Sequence, residues 1–236
     1  MTEYIIVTGA SGGLGSVTAA RLAGQGYQVI GISRRPAAYA ALGDRYTHIC
    51  ADLSDLAALP QLVKTVVAAH GPPYGLVNNA ATGLDGLLPT MHNSEIRTVV
   101  ELDLLSPILL TKYVSRHMVS RGVGRIVNVT SIVARTGFRG LSVYAAAKAG
   151  LEGFTRSLAR DLGARGVTVN CVAPGFLATE MTEALGDAQL SRIRARSPMG
   201  RFAGTEEVAG AIAYLLSPEA GGLTGSVVTV DAGATA

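Results

Sequence analysis

Seven short apolar runs punctuate the chain, at Tyr4 to Thr8, Gln28 to Ile32, Thr47 to Ala51, Gly75 to Asn78, Arg125 to Thr130, Thr168 to Val172 and Val227 to Val230. Each has the length of a strand and the near-continuous apolar character of one buried on both faces. Between them, apolar residues recur at helical spacing over Gly15 to Ala23, Leu56 to Ala69, Glu95 to Val119, Val143 to Leu162 and Glu206 to Leu216. Strands that alternate with helices need right-handed crossovers, so the expected fold is α/β. It is a single-domain Rossmann-type, doubly wound parallel sheet of about seven strands with helices on both faces. No repeat, low-complexity tract or linker interrupts the 236 residues, which read as one domain. The longest gap between a strand and the next helix is Gly175 to Thr205, with Leu185 to Ile193 as a short helical stretch inside it. A connection of that length is expected to be a substrate loop, residues 175–205.

Composition narrows the class. The chain is 48% hydrophobic and 16% charged with 29 Gly, which suits closely packed helices on a buried sheet. Its net charge of +3 is spread out, with no basic run interleaved with aromatics, so nucleic acid is not an expected partner. No segment reaches the roughly 18 continuous apolar residues of a membrane span. The N-terminus enters strand-like sequence at Tyr4 with no secretory stretch, so a soluble cytoplasmic protein is expected. Cys50 and Cys171 both fall in expected strands without metal-ligand spacing and read as buried free thiols. His48, His70, His92 and His117 show no ligand spacing either; they read as surface and packing residues, and no metal site is expected.

Chemistry concentrates in two places. The first strand runs through Thr8-Gly9-Ala10-Ser11-Gly12-Gly13-Leu14-Gly15 into a helix. Glycines there permit a tight turn and let backbone N–H groups meet a pyrophosphate at the positive end of the helix. In the second place, Tyr144 and Lys148 stand one helical turn apart, so the ammonium lies beside the phenol and favours its ionised form. Ser131 follows the fifth strand, at the carboxyl edge where open α/β sheets bind ligands. A ketone that accepts hydride becomes an alkoxide and needs a proton; Tyr144 can give it, and Ser131 can hydrogen-bond the oxygen.

Taken together these residues resemble the short-chain dehydrogenase/reductase family. Gly9, Gly13 and Gly15 match its glycine motif, and the resemblance continues through Asp52-Leu53, where members hold adenine, and Asn78-Asn79-Ala80-Ala81. It covers Ser131, Tyr144 and Lys148, then Ala173-Pro174-Gly175 with Thr179 near the nicotinamide. The implied cofactor contacts are therefore Gly9, Ser11, Gly13, Leu14, Gly15, Asp52, Leu53, Asn79, Ala80, Tyr144, Lys148, Pro174, Gly175 and Thr179. After the second strand comes Ser33-Arg34-Arg35, where an acidic residue would bind a free ribose 2′-hydroxyl. Arg34 and Arg35 favour a 2′-phosphate, so NADP(H) is preferred, with NAD(H) possible. Many NADP-preferring relatives also carry a basic residue where this chain has Gly12.

One position departs from the family. Members usually place an Asn in the helix before the catalytic strand, completing a proton relay; this chain has Asp103. An ionised Asp accepts hydrogen bonds but donates none; if buried near Lys148 it could instead pair with a cation, and activity is expected to be retained with an altered pH dependence.

Within the family the Tyr144 to Leu151 stretch, Ser197-Pro198-Met199-Gly200-Arg201 and Thr224 to Asp231 look most like 3-oxoacyl-acyl-carrier-protein reductases. The resemblance implies NADPH-dependent reduction of a carrier-bound 3-oxoacyl thioester. It also implies a homo-oligomer, tetrameric in the family, with the two long helices at one interface. Arg121 and Arg165 correspond to residues that meet the acidic carrier near the site mouth, and Arg135 and Arg139 can add to that face. Arginines 192, 194, 196 and 201 can contribute to the loop. A reductase or dehydrogenase of a free ketone, sugar, steroid or other secondary alcohol is the alternative, and a noncatalytic NADP-binding subunit the alternative from another class.

Overall fold

A computed structural model describes residues 3–37, 39–177, 191 and 194–236 of the chain. Seven parallel strands form one sheet in the order β3-β2-β1-β4-β5-β6-β7. They are β1 (Tyr4–Thr8), β2 (Gln28–Ser33), β3 (Tyr46–Cys50), β4 (Gly75–Asn78), β5 (Gly124–Val129), β6 (Val167–Pro174) and β7 (Val227–Val230). The strand order reverses between β1 and β4, which opens a crevice above their carboxyl ends.

The helices are α1 (Gly13–Gly24), α2 (Leu59–His70), α3 (Asn93–Val100), α4 (Ser106–Arg121), α5 (Val133–Thr136), α6 (Ser142–Leu162) and α7 (Thr205–Leu216). Alternate strand residues feed two cores, as the two-residue period of a strand requires. Ile5, Val7, Val77 and Val127 pack beneath α1 and α7 with Leu22, Ile212 and Leu216. Ile6, Ile30, Leu76 and Ile126 pack on the other face with Val63 of α2 and Leu110, Val114 and Met118 of α4. Burial on both faces is why the strands read as continuous apolar runs rather than alternating ones.

The helix expected over Glu95 to Val119 is present and continuous, but it carries a π-helical turn at Glu101–Leu105 between α3 and α4. Pro107 has no N–H to continue the α-helical ladder, and the Ser106 N–H reaches back five residues to the Glu101 carbonyl. The helix expected from Leu56 starts at Leu59, because the Asp52 and Asp55 carboxylates take the N–H groups of Ser54 and Ala58 and hold that stretch in turns. Cys171 is buried as expected, but Cys50 is exposed, since β3 is an edge strand partly covered on its faces. Residues 178–190 and 192–193 of the expected substrate loop, with Thr179, Arg192 and nearly all of the helix expected at Leu185 to Ile193, lie outside the described residues. Among the described residues no helix is long and apolar enough to cross a membrane, and no His, Cys, Asp and Glu cluster could hold a metal.

Candidate active site

At the crevice, β1 ends on Thr8 and the chain turns through Gly9, whose φ of +67° favours glycine. The Thr8 hydroxyl accepts the N–H groups of Asn79 (2.9 Å) and Ala80 (3.0 Å) and donates to the Val77 carbonyl (3.2 Å). Asn79 Nδ2 donates in turn to the Thr8 carbonyl at 2.9 Å. These bonds clamp the ends of β1 and β4 together, so Asn79 serves first as a brace of the turn. Gly15 meets a different need: a Cβ there would stand 2.1 Å from the Gly9 carbonyl oxygen. Only glycine lets α1 come that close to the turn. Leu14 is buried in the core and Ser11 is half-buried on the turn. The first turn of α1 has neither a side-chain cap nor an acidic residue, so its leading N–H groups remain available to an anion.

Arg34 and Arg35 lie exposed just past β2. Arg35 Nη2 stands 3.8 Å from where a Cβ on Gly12 would be. The guanidinium therefore stands in van der Waals reach of the glycine turn at Gly12. Asp52 accepts the Ser54 hydroxyl (2.7 Å) and N–H (2.9 Å); these bonds first, and Arg34 to a smaller degree, hold its carboxyl below the ordinary range. Leu53 is 5% exposed and its side chain belongs to the core.

The second half of the site is built at the end of β5. Thr130 N–H bonds the Val172 carbonyl and Ile132 N–H the Pro174 carbonyl, so pairing with β6 continues past the strand and fixes Ser131 at the carboxyl edge. Gly137 and Gly140, both at positive φ, turn the chain into α6. Tyr144 lies half-buried in the first turn of α6. Lys148, one turn on, is 2% exposed. Its Nζ donates to the Val129 carbonyl at 3.1 Å and lies 5.5 Å from the Tyr144 ring centroid. Gly175 completes this edge: its N–H bonds the Val230 carbonyl at 2.9 Å, and a Cβ would stand 2.8 Å from the Asp231 Cα.

The π turn delivers Asp103, which is fully buried. Its Oδ1 accepts the Thr82 N–H at 2.8 Å, while Oδ2 has no hydrogen-bond partner. Burial pushes the carboxyl up to about 6, against the opposing pull of the Lys148 ammonium and the Thr82 N–H. Lys148 acts on Asp103 through its charge alone: among the described residues no hydrogen bond or ion pair joins them, and Lys148 Nζ bonds the Val129 carbonyl instead.

An aromatic group at the same edge has no counterpart in the sequence reading. Phe138, Phe176 and Phe202 come together with centroids 5.2 and 6.5 Å apart, and the Arg194 guanidinium lies 5.0 Å from the Phe202 ring centroid. The available signal was scarcity: the chain has 4 Phe, and these three occupy connecting segments rather than helical or strand patterns. Arg201 is engaged elsewhere, bonding Glu207 through both Nη atoms at 2.8 and 2.7 Å, while Glu207 also caps α7 through the Gly204 N–H. Arg196 is exposed.

The arginines expected at the site mouth divide. Arg121 ends α4 and bonds the Pro72 carbonyl and Glu3, both before strand starts. Arg165 precedes β6, and the adjoining turns touch, since a Cβ on Gly166 would stand 2.2 Å from the Gly122 carbonyl oxygen. Loops that lead into parallel strands lie at the amino edge, so Arg121 and Arg165 sit opposite Ser131 within one chain, which corrects the expectation. Arg139 is exposed in the loop just before α6, and Arg135 pairs with the buried Glu152 at 3.2 Å.

With this geometry in view, the comparisons with known proteins are consistent along the whole chain. Residues 9–235 match the family described as enoyl-(acyl carrier protein) reductase. The 3-oxoacyl-[acyl-carrier-protein] reductase FabG of Escherichia coli (strain K12) is 40% identical over 235 residues, covering 98% of this chain and 96% of that protein. The protein of the same name from Vibrio cholerae is 41% identical over 235 residues with the same coverage. Nodulation protein G of a Rhizobium species is 40% identical over 97% of this chain and 95% of its own. Among solved structures, one described as a putative gluconate dehydrogenase from Agrobacterium tumefaciens superposes with a TM-score of 0.94 over 99% of this chain and 96% of that one. At 23% identity it speaks for the fold alone.

Proposed function

The chain belongs to the short-chain dehydrogenase/reductase family, as an NAD(P)-dependent oxidoreductase acting on CH–OH and C=O groups, and we propose that it reduces carrier-bound 3-oxoacyl thioesters with NADPH. The observation that carries this reading is Lys148, buried beside Tyr144 and bonded to the carbonyl of Val129, which ends β5 two residues before Ser131. The residues present fit a dinucleotide: a glycine turn packed backbone to backbone, an uncapped α1 and Arg35 over Gly12. When bound, the cofactor supplies the hydride. The Ser131 hydroxyl donates to the substrate carbonyl oxygen and holds it within reach of Tyr144. Tyr144 gives its phenolic proton to the developing alkoxide. Lys148 keeps positive charge beside the phenol, and its bond to Val129 holds α6 against the strand that carries Ser131.

Arg34 and Arg35 favour NADPH through charge-assisted bonds to the 2′-phosphate. Arg35→Ala is expected to raise the dissociation constant of NADPH about tenfold, as loss of one such bond does, and to leave that of NADH within about twofold. Titration of both cofactors checks this; equal effects on the two would remove Arg35 from 2′-phosphate recognition.

Phe138, Phe176 and Phe202 give the substrate an apolar wall suited to an acyl chain. Arg139 is the basic side chain that we set against the acidic carrier. Self-association is in keeping with Val100 and Leu105, apolar side chains exposed beside the π turn. The test is NADPH consumption with a 3-oxoacyl carrier thioester, a short acyl thioester mimic and a panel of free ketones. A carrier-independent preference for free ketones would overturn the substrate assignment.

A further inference from the structure

Tyr46 and His48 are two residues apart on β3 and so project from one face of the sheet. Gly31 of β2 pairs with His48 in the strand register, and a Cβ on it would stand 2.1 Å from the Tyr46 hydroxyl oxygen. The missing side chain leaves the space that the phenol fills. The Tyr46 hydroxyl lies 2.6 Å from His48 Nδ1. His48 Nε2 lies 3.0 Å from the Arg35 carbonyl oxygen and 3.1 Å from Ser33 Oγ, and that hydroxyl also donates to the Arg35 carbonyl at 2.9 Å. A carbonyl can only accept, so Nε2 carries a ring hydrogen; in the neutral ring Nδ1 then accepts and Tyr46 donates. The Tyr46 ring meets Tyr39 edge-on at 4.8 Å, and the Tyr39 hydroxyl donates to the Ala10 carbonyl in the glycine turn. One chain of contacts therefore joins the glycine turn to the arginine turn.

We infer that His48 is a positioning residue for the 2′-phosphate of the cofactor: it holds the Arg35 carbonyl, fixes the Ser33-Arg34-Arg35 turn with its guanidinium over Gly12, and so sets selectivity for NADP over NAD. The inference rests on the NADPH reading above. An exposed turn with two long side chains has many conformations, and ordering it on binding costs affinity. With the Arg35 carbonyl already held, less of that cost falls on capture of the phosphate. NAD has no 2′-phosphate and draws little on the tie.

The experiment is calorimetric titration of the protein with NADP+ and NAD+, comparing the unaltered chain with His48→Phe, His48→Gln, Arg35→Ala and the His48→Phe/Arg35→Ala pair. His48→Phe keeps a planar ring but loses both nitrogens; it is expected to raise the NADP+ dissociation constant about fivefold and to move that of NAD+ less than about twofold. His48→Gln, whose amide can donate to the Arg35 carbonyl, recovers most of the loss. Because His48 acts through the arginine turn, His48→Phe adds less than about twofold once Arg35 is gone. Three results overturn the inference: no change in His48→Phe, equal weakening of both cofactors, or a Gln variant as weak as Phe. If Arg35→Ala weakens NADP+ while His48→Phe does not, the positioning role fails alone. If the unaltered chain does not prefer NADP+ and Arg35→Ala changes nothing, the NADPH reading fails and takes the inference with it.

Discussion

Tyr144→Phe is expected to lower kcat for carbonyl reduction about a thousandfold, in the middle of the range for loss of a positioned proton donor. The substitution is close to isosteric. The ring keeps its half-buried place in the first turn of α6, and Lys148 keeps its 3.1 Å bond to the Val129 carbonyl, which does not involve the phenol. Cofactor affinity should stay within about twofold, because the glycine turn and the arginine turn are untouched. Single-turnover oxidation of bound NADPH separates the two quantities. A loss smaller than about tenfold would place the proton donor elsewhere, and an equal collapse of cofactor binding would mean that the ring itself organises the crevice.

Asp103→Asn is expected to stabilise the fold at neutral pH by about 3 kcal/mol as an order of magnitude, with the gain vanishing in acid. Burial holds the carboxyl at about 6 in the folded chain, against 3.8 for an ordinary aspartate. Between those values the folded state retains a proton that the unfolded state has released. Stability therefore falls as pH rises from about 4 to about 6, stays lower above that, and carries no such penalty below about 4. Asn keeps an oxygen for the Thr82 N–H and replaces the unpartnered Oδ2 with a neutral amide nitrogen. Urea unfolding of both forms at pH 4 and pH 8 reads the difference. A variant less stable than the unaltered chain at pH 8 would mean that attraction to Lys148 outweighs the cost of burial. The same pair tests the expected change in pH dependence of catalysis: a pH–rate profile unaltered by the substitution would exclude Asp103 from proton supply.

What could be read from the chain beforehand divides along physical lines. Strands buried on both faces announce themselves as apolar runs, and the observed bounds fall within two residues of those expected. The placement of Ser131, Tyr144, Lys148 and the glycine turn at one edge is legible because it depends on local spacing and on the edge to which a strand delivers them. Features that depend on distant residues were not. An apolar run does not say whether its strand is central or at the edge, hence the error at Cys50. The carboxyl of Asp103 acquires its character from Thr82 and Lys148, which no short window contains. The resemblance puts Arg121 and Arg165 near the site mouth, whereas within one chain they lie at the amino edge, because a resemblance supplies a role without the direction of each connection. His48 looked like a packing residue for want of ligand spacing, yet its bonds depend on a missing side chain across the ladder, at Gly31.

The π turn at Glu101–Leu105 has a consequence for how length changes act on this fold. It holds one residue more than an α-helical turn, and each residue turns a helix by about 100°. The helix is thus two rods locked out of phase: α3 packs on α6, whereas α4 packs on α2 and β5. Deleting one residue within the turn would bring the rods into phase and carry Asp103 away from Lys148 without altering any side chain of Ser131, Tyr144 or Lys148. The extra residue works as a gear tooth that lets one continuous helix serve two packing surfaces at once.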